Sequence, residues 1–225
     1  MGPHNCLFQG APDLTKNGSA IDYDAPLPVA LADSPALSRV WHGILNEAGL
    51  NTIVVAAQQG RRRRLFVDGF ILLDCCAVPA FRDRAEEQAI QLFSDSFYEA
   101  REHYVFRRGE TVPITDPEQL RNYSFAGVRG FEYSFSNYLS TRIDGRSVDD
   151  VLILIHKGRA NLGTINDRDF AKLMAENPHD VELGEIIFTS DLRIRLHKSR
   201  SDLLPRINAE IERLNADNRL KKMVG

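Results

Sequence analysis

Few cysteines, no long apolar run and no excess of positive charge characterise this sequence of 225 residues. Its three cysteines, Cys6, Cys75 and Cys76, form neither a disulfide framework nor a zinc site, since tetrahedral zinc needs four ligands in a recognisable spacing. No stretch reaches the roughly 18 consecutive apolar residues of a membrane span. The six histidines are scattered without an HxxxH or HxH pair, so we expect no metal site.

Charge is nearly balanced, with 28 Lys and Arg against 31 Asp and Glu and a formal net charge of -3. With 43% hydrophobic residues the chain falls in the ordinary globular range, and we expect no nucleic-acid partner. The one basic run, RRRR at 61–64, is flanked by Leu65 and Phe66. We interpret this run as the solvated face of a helix.

The first 26 residues are rich in Gly, Pro, Asn and Asp and have no apolar core of a signal peptide. The LFQG sequence within them is similar to part of a picornaviral protease cleavage site. We therefore interpret residues 1–26 as a tail or an expression remnant, and expect a native signal peptide to have been removed.

Two successive α/β units follow, which predicts parallel sheets flanked by helices. Apolar residues spaced by three and four predict a helix that is closed by Gly49, and a second helix runs through the arginines to Val67. Later helices are predicted at 133–139, after the cap Ser147, at 170–176 and near the carboxyl end. Strands are predicted at 28–32, 52–57, 70–74, 89–94, 103–108, 125–130, 160–165, 185–190 and 192–198.

Five stretches in this order resemble the type II periplasmic solute-binding proteins, in particular the amino-acid-binding branch (family 3) that serves ABC importers. They are DGFILLD with the later LFSDSFY, HYVFRRGE, NYSFAGVRGFEYS, KGRANLGTIND, and KSRSDLLPRINAEIERLNADNRLKKMV. The resemblance covers residues 27–224. It implies two lobes joined by two hinge strands, with lobe 1 formed by 27–107 and 193–225 and lobe 2 by 108–192.

The resemblance also implies an extracytoplasmic, periplasmic receptor that acts as a monomer without a cofactor. It would bind a small polar, carboxylate-bearing metabolite between its lobes and deliver it to a membrane importer or sensor. Two alternatives stay open: a dehydratase of the prephenate or arogenate type, with Glu132 as proton donor, and a sensing or scaffold domain. The fold alone does not distinguish them.

Arg82 is the residue that the resemblance predicts as the clamp for a ligand carboxylate, because a guanidinium matches a carboxylate with two hydrogen bonds. Arg84 is its competitor. The preceding loop, Asp74 to Ala77, occupies the place of small ligand-contacting residues in the family. We expect Cys75 and Cys76 to be small, semi-buried wall residues in preference to a catalytic thiol or a vicinal disulfide.

The remaining candidate contacts follow strands or begin helices, and for three of them, Asp33, Asn166 and Asp167, helix capping is the competing interpretation. Asp33 and Ser34 follow the first strand and precede a helix. Glu132 is either a ligand contact or an acid at a helix start. The full set of such candidates is Asp33, Ser34, Phe131, Glu132, Tyr133, Asn166 and Asp167.

Overall fold

The computed structural model describes residues 25–31 and 34–224, and these form a mixed eight-stranded sheet covered by helices. The strands are β1 (Leu27–Ala30), β2 (Thr52–Val55), β3 (Leu73–Ala77), β4 (Gln91–Arg107), β5 (Ser124–Val128), β6 (Thr141–Gly145), β7 (Leu162–Asn166) and β8 (Val181–His197). Their order across the sheet is β2-β1-β3-β8-β4-β7-β5-β6.

The two central strands, β4 and β8, pair antiparallel along their length and are 17 residues long each. Sequence patterns predicted two shorter strands in place of each. That prediction is wrong in this respect, since backbone pairing runs continuously through the polar residues in between, apart from several register shifts. Two of these shifts lie on either side of His103.

Parallel strands lie on both sides of this central pair. On one side β1 pairs with β2 and β3, and on the other β5 pairs with β6 and β7. We call the body around β1–β3 the first lobe and the body around β5–β7 the second lobe. The predicted boundary after residue 107 falls at the end of β4, the one after 192 falls inside β8, and both boundaries stay predictions.

The α-helices are α1 (Ser38–Glu47), α2 (Gln59–Val67), α3 (Ala85–Gln88), α4 (Val148–His156), α5 (Asp167–Glu176), α6 (Leu204–Ala216) and α7 (Arg219–Val224). Instead of the predicted helix at 133–139 the chain forms only a 3-10 turn, Ser136–Tyr138. Strand β6 was not predicted. Among the described residues, no helix has both the length and the apolar character to span a membrane.

The core of the first lobe lies between its sheet, α1 and α6. Trp41 and Ile44 of α1 are fully buried, as is Ile207 of α6, and all three belong to one apolar cluster. After α1 the chain turns at Gly49, whose φ of +64° is a conformation that favours glycine. The apolar spacing that predicted α1 thus reflects contact with a helix some 160 positions later in the sequence.

The core of the second lobe lies under α4, where Val151, Leu152 and Ile155 are buried. As predicted, Ser147 caps this helix, and its hydroxyl accepts a hydrogen bond of 3.2 Å from the Asp150 N–H. Capping and burial together fix the start of α4 at one edge of the cleft between the lobes.

Candidate ligand-binding site

A cavity of about 170 Å³ lies between the two lobes, a size at which protein cavities take up a single small organic molecule. Both lobes and both central strands contribute to its wall. Aromatic rings form much of this wall, and a few polar groups point into it, as in most small-molecule sites. The aromatic lining residues are Phe81, Phe131, Tyr133, Phe135 and Phe188.

Arg82 lies in the wall of this cavity, directly after the 3-10 turn Pro79–Phe81. Its Nη1 donates to the Phe81 carbonyl at 3.1 Å, but its buried Nε has no hydrogen-bond partner among the described residues. Burial lowers the pKa of Arg82, and the charge of Asp74 opposes this change. The competitor Arg84 is exposed and pairs with Glu132 instead. Arg82 therefore has the free hydrogen-bonding capacity that a carboxylate ligand requires.

The neighbouring cysteines of β3 are joined by a disulfide bond across a cis peptide bond. The preference for two unbonded wall residues is therefore wrong, because the two sulfur atoms lie within bonding distance. Cys75 is 1% exposed and packs in the core of the first lobe, whereas Cys76 lines the cavity. The pair presents sulfur to the cavity but no thiol group.

Asp74 and Ala77, on either side of the cysteines, are buried and do not line the cavity. The Asp74 carboxylate lies 3.3 Å from Arg62 Nε and 3.6 Å from Arg195 Nη1. The Asp74 carboxylate is therefore already paired with two arginines of the first lobe. We accordingly leave Asp74 out of the candidate site, as a correction to the sequence-based prediction.

The arginine run on α2 is not a solvated helix face, because Arg62 and Arg63 are only 1% and 5% exposed. Arg63 pairs with Glu87 of α3, which also accepts a hydrogen bond of 2.8 Å from Arg195 Nη2. Only Arg61 and Arg64 of the run are exposed. The buried charges Arg62, Arg63, Asp74, Glu87 and Arg195 form one network, which we call the first-lobe ion network.

Glu132 connects this network to the second lobe. Its carboxylate contacts Arg63 Nη1 at 2.6 Å and also pairs with Arg84, so it bridges the lobes at the edge of the cavity. Burial alone would raise the pKa of Glu132. The pKa is nevertheless lowered, because both arginines stabilise the ionised form. An ionised, doubly paired carboxylate is a poor general acid, so the geometry does not support Glu132 as the proton donor of a dehydratase.

A second contact between the lobes joins Ser34 and Asp169. Asp169, in the first turn of α5, accepts hydrogen bonds of 2.8 Å from the Ser34 hydroxyl and from the Ala36 N–H. Asn166 caps α5, since its Oδ1 accepts from the Asp169 N–H, and its amide donates to the Asp169 carboxylate. The interpretation of Asn166 as a helix cap is therefore confirmed, and both Ser34 and Asn166 line the cavity, whereas ligand contact at either residue stays a prediction.

The other predicted residues divide into two groups. Phe131 and Tyr133 line the cavity, and the Tyr133 hydroxyl accepts a hydrogen bond of 3.0 Å from the Val128 N–H. Asp167 begins α5 but does not line the cavity. Asp33 lies outside the described residues. Ligand contact at each of these positions stays a prediction.

Glu102 and Thr164 are cavity residues that the sequence patterns missed. Burial raises the pKa of Glu102 to about 7, and the carboxylates of Asp169 and Asp167 act in the same direction. Thr164 is 5% exposed, and its hydroxyl opposes this rise, because it lies beside the Glu102 carboxylate and stabilises the ionised form. The available signal was the regular alternation of strand residues, but 95–102 was predicted as a link between two strands.

No family model and no curated protein matches the chain. Solved structures do: a mutant of ArgBP from T. maritima has a TM-score of 0.72 at 17% identity, over 89% of this chain and 94% of that one. The GluR0 ligand-binding core from Nostoc punctiforme, in complex with L-glutamate, has a TM-score of 0.71 at 17% identity, over 88% and 97%. A histidine kinase sensor domain similar to periplasmic binding proteins has a TM-score of 0.71 at 13% identity, over 88% and 93%.

Structural likeness at identities this low establishes the fold but does not identify the ligand. The likeness nevertheless spans both lobes and both central strands of the described chain. On this evidence the chain has the two-lobed fold of the type II periplasmic binding proteins.

Proposed function

We propose that this protein is a receptor for a small, carboxylate-bearing metabolite, which it binds in the cavity between its lobes. The observation that carries the proposal is Arg82, a guanidinium in the wall of an aromatic cavity with no ion-pair partner among the described residues. Removing such a group from water is unfavourable unless an anion compensates for it. A ligand carboxylate would supply that charge with matching geometry.

The neighbouring structures support the class of ligand. The GluR0 core is in complex with L-glutamate, another structure is the substrate-binding protein of an amino acid ABC transporter, and a third is a kinase sensor domain. We accordingly propose an amino-acid-like ligand, a location in the periplasm, and a membrane importer or sensor as the protein partner. A monomer without a cofactor would be sufficient for this function.

Thermal unfolding with a panel of small carboxylates and amino acids tests the proposal. We expect at least one compound to raise the unfolding temperature, and expect the Arg82→Ala variant to lose that rise. The matched control is Arg39→Ala, which removes an exposed arginine of α1 in the same lobe. An equal response of Arg82→Ala and the unmodified protein would contradict the clamp.

Native mass spectrometry of the freshly purified protein provides a second test, because receptors of this kind can retain their ligand. A bound mass that is absent from Arg82→Ala and present in Arg39→Ala would support the proposal. A panel without any binder, together with an empty cavity by mass spectrometry, would contradict it.

A further inference from the structure

Glu102 lies on β4 directly opposite Asn166 of β7 in the sheet register, and its side chain lines the cavity. The pairing of β4 with β8 shifts between Glu102 and His103, and again after His103. Such irregularities change the direction in which neighbouring side chains point. The sheet thus presents a carboxylate to the interior of the cavity at the centre of the molecule.

No ion pair joins Glu102 to any described residue, although Arg82 lines the same cavity. The two opposite charges therefore face the cavity separately. A buried carboxylate without a cation is unfavourable, just as a buried guanidinium without an anion is.

The other acidic groups near the cavity already have partners. Glu132 pairs with Arg63 and Arg84, and Asp169 accepts hydrogen bonds from Ser34, Ala36 and Asn166. Glu102, by contrast, has no cation beside it among the described residues, and the Thr164 hydroxyl is the one group near enough there to donate to its carboxylate.

The surroundings of Glu102 favour a cation. The carboxylates of Asp169 and Asp167 are near enough to act on it, so the local potential is negative. Aromatic faces in the same cavity, including Phe131 and Phe188, attract cations as well. The buried Thr164 hydroxyl lies beside Glu102, and because a hydroxyl can donate and accept at once, it can also accept a hydrogen bond from a ligand N–H.

From this arrangement we infer that Glu102 binds a protonated amino group of the ligand, while Arg82 binds its carboxylate. The inference rests on the proposed function and narrows the ligand to a small zwitterion. It also assigns amine recognition to the central strand β4. Asn166, which ends β7, caps α5, and Asp167 lies outside the cavity wall.

Matched pairs of compounds test this inference, each pair differing only in an amino group: glutamate and glutarate, alanine and propionate, phenylalanine and 3-phenylpropionate. Binding is measured by calorimetry for the unmodified protein and for Glu102→Gln. We expect the amino compound of at least one pair to bind the unmodified protein at least tenfold more tightly. In Glu102→Gln that preference should disappear, while affinity for the deaminated compound is kept or increased.

Two further variants separate recognition from folding. Glu102→Asp keeps the charge and should retain part of the preference, and Glu99→Gln removes an exposed acid from the same strand and should retain all of it. Circular dichroism checks that each variant is folded.

The possible failures are distinguishable. Carboxylates that bind through Arg82 with no preference for the amino compound, or with a preference that Glu102→Gln keeps, would overturn the role of Glu102 and leave the receptor proposal intact. No binding of any compound to the unmodified protein would overturn the receptor proposal itself, and this inference with it.

Discussion

The Ser34 hydroxyl of the first lobe donates a hydrogen bond of 2.8 Å to the Asp169 carboxylate of the second lobe. Asp169 is 1% exposed, and the same hydroxyl accepts a hydrogen bond from the Leu37 N–H at 3.2 Å. One side chain therefore holds the turn that leads into α1 and joins the two lobes.

Replacing Ser34 by alanine should open the cleft and destabilise the protein. The change removes the donor to Asp169 and the acceptor for Leu37, so we expect the free energy of unfolding to fall by about 1–2 kcal/mol. Small-angle X-ray scattering of the ligand-free variant should show a larger radius of gyration. Ser38→Ala, on the same helix, is the control. A variant indistinguishable from this control in both measurements would show that the contact does not keep the lobes together.

Replacing Arg195 by methionine should be among the most destabilising single changes. Arg195 is fully buried, pairs with Glu87 and Asp74, and lies 3.8 Å above the centre of the Phe66 ring. Its removal leaves two buried carboxylates with fewer partners, so we expect a loss of about 3–5 kcal/mol in urea unfolding. Arg64→Met changes a side chain that is 77% exposed and should cost less than about 0.5 kcal/mol. Equal losses in both variants would contradict the importance of the first-lobe ion network.

Stability should depend on pH through Glu102. Burial raises the pKa of Glu102 from 4.5 to about 7. The carboxylates of Asp169 and Asp167 add to this rise, and the Thr164 hydroxyl opposes it. Between these values the folded protein binds a proton that the unfolded chain has released, so the stability from this group falls as the pH rises from 4.5 through 7. The change is on the order of 1–3 kcal/mol, since the side chain is partly accessible from the cavity.

Chemical unfolding at several pH values, with and without Glu102→Gln, measures this effect. The variant should lose less stability than the unmodified protein between pH 5 and pH 8, whereas Glu99→Gln should behave like the unmodified protein. Parallel stability curves for all three proteins would contradict a raised pKa of Glu102 in the ligand-free folded protein.

The disulfide between Cys75 and Cys76 can be tested directly. Digestion with trypsin produces the peptide 65–82, which contains both of these cysteines, no other cysteine and no internal cleavage site. Without reduction, its mass should be lower than that of the dithiol form by two hydrogen atoms, and alkylation should not modify it. After reduction it should take up two alkyl groups. Alkylation of both residues without prior reduction would contradict the bond.

Much of the fold could be predicted because the relevant signals are local. The spacing of Val40, Trp41 and Ile44 predicts α1, and Ser147 as a cap predicts the start of α4. Arg82 was identified because it follows a buried strand at the position where the resembled family has its arginine.

The errors arose where a residue's environment depends on distant parts of the chain. The burial of Arg62 and Arg63 requires Asp74 and Glu87, which other elements bring to α2, so an arginine run alone resembles a solvated surface. Glu102 was missed because it becomes enclosed only when the second lobe meets the first. The disulfide was not favoured because adjacent cysteines always lie close together, so their spacing in the sequence does not distinguish a bonded pair from a free one.

The course of β4 and β8 has a consequence for how the protein could be rebuilt. Arg107 and Val181 face each other at one end of this pair, so residues 108–180 begin and end at neighbouring points, as the loop of a β-hairpin does. In topological terms the second lobe is an insertion within a hairpin that belongs to the first. Exchange of this insertion for that of another protein of the same fold would replace one wall of the cavity and keep Arg82 on the other.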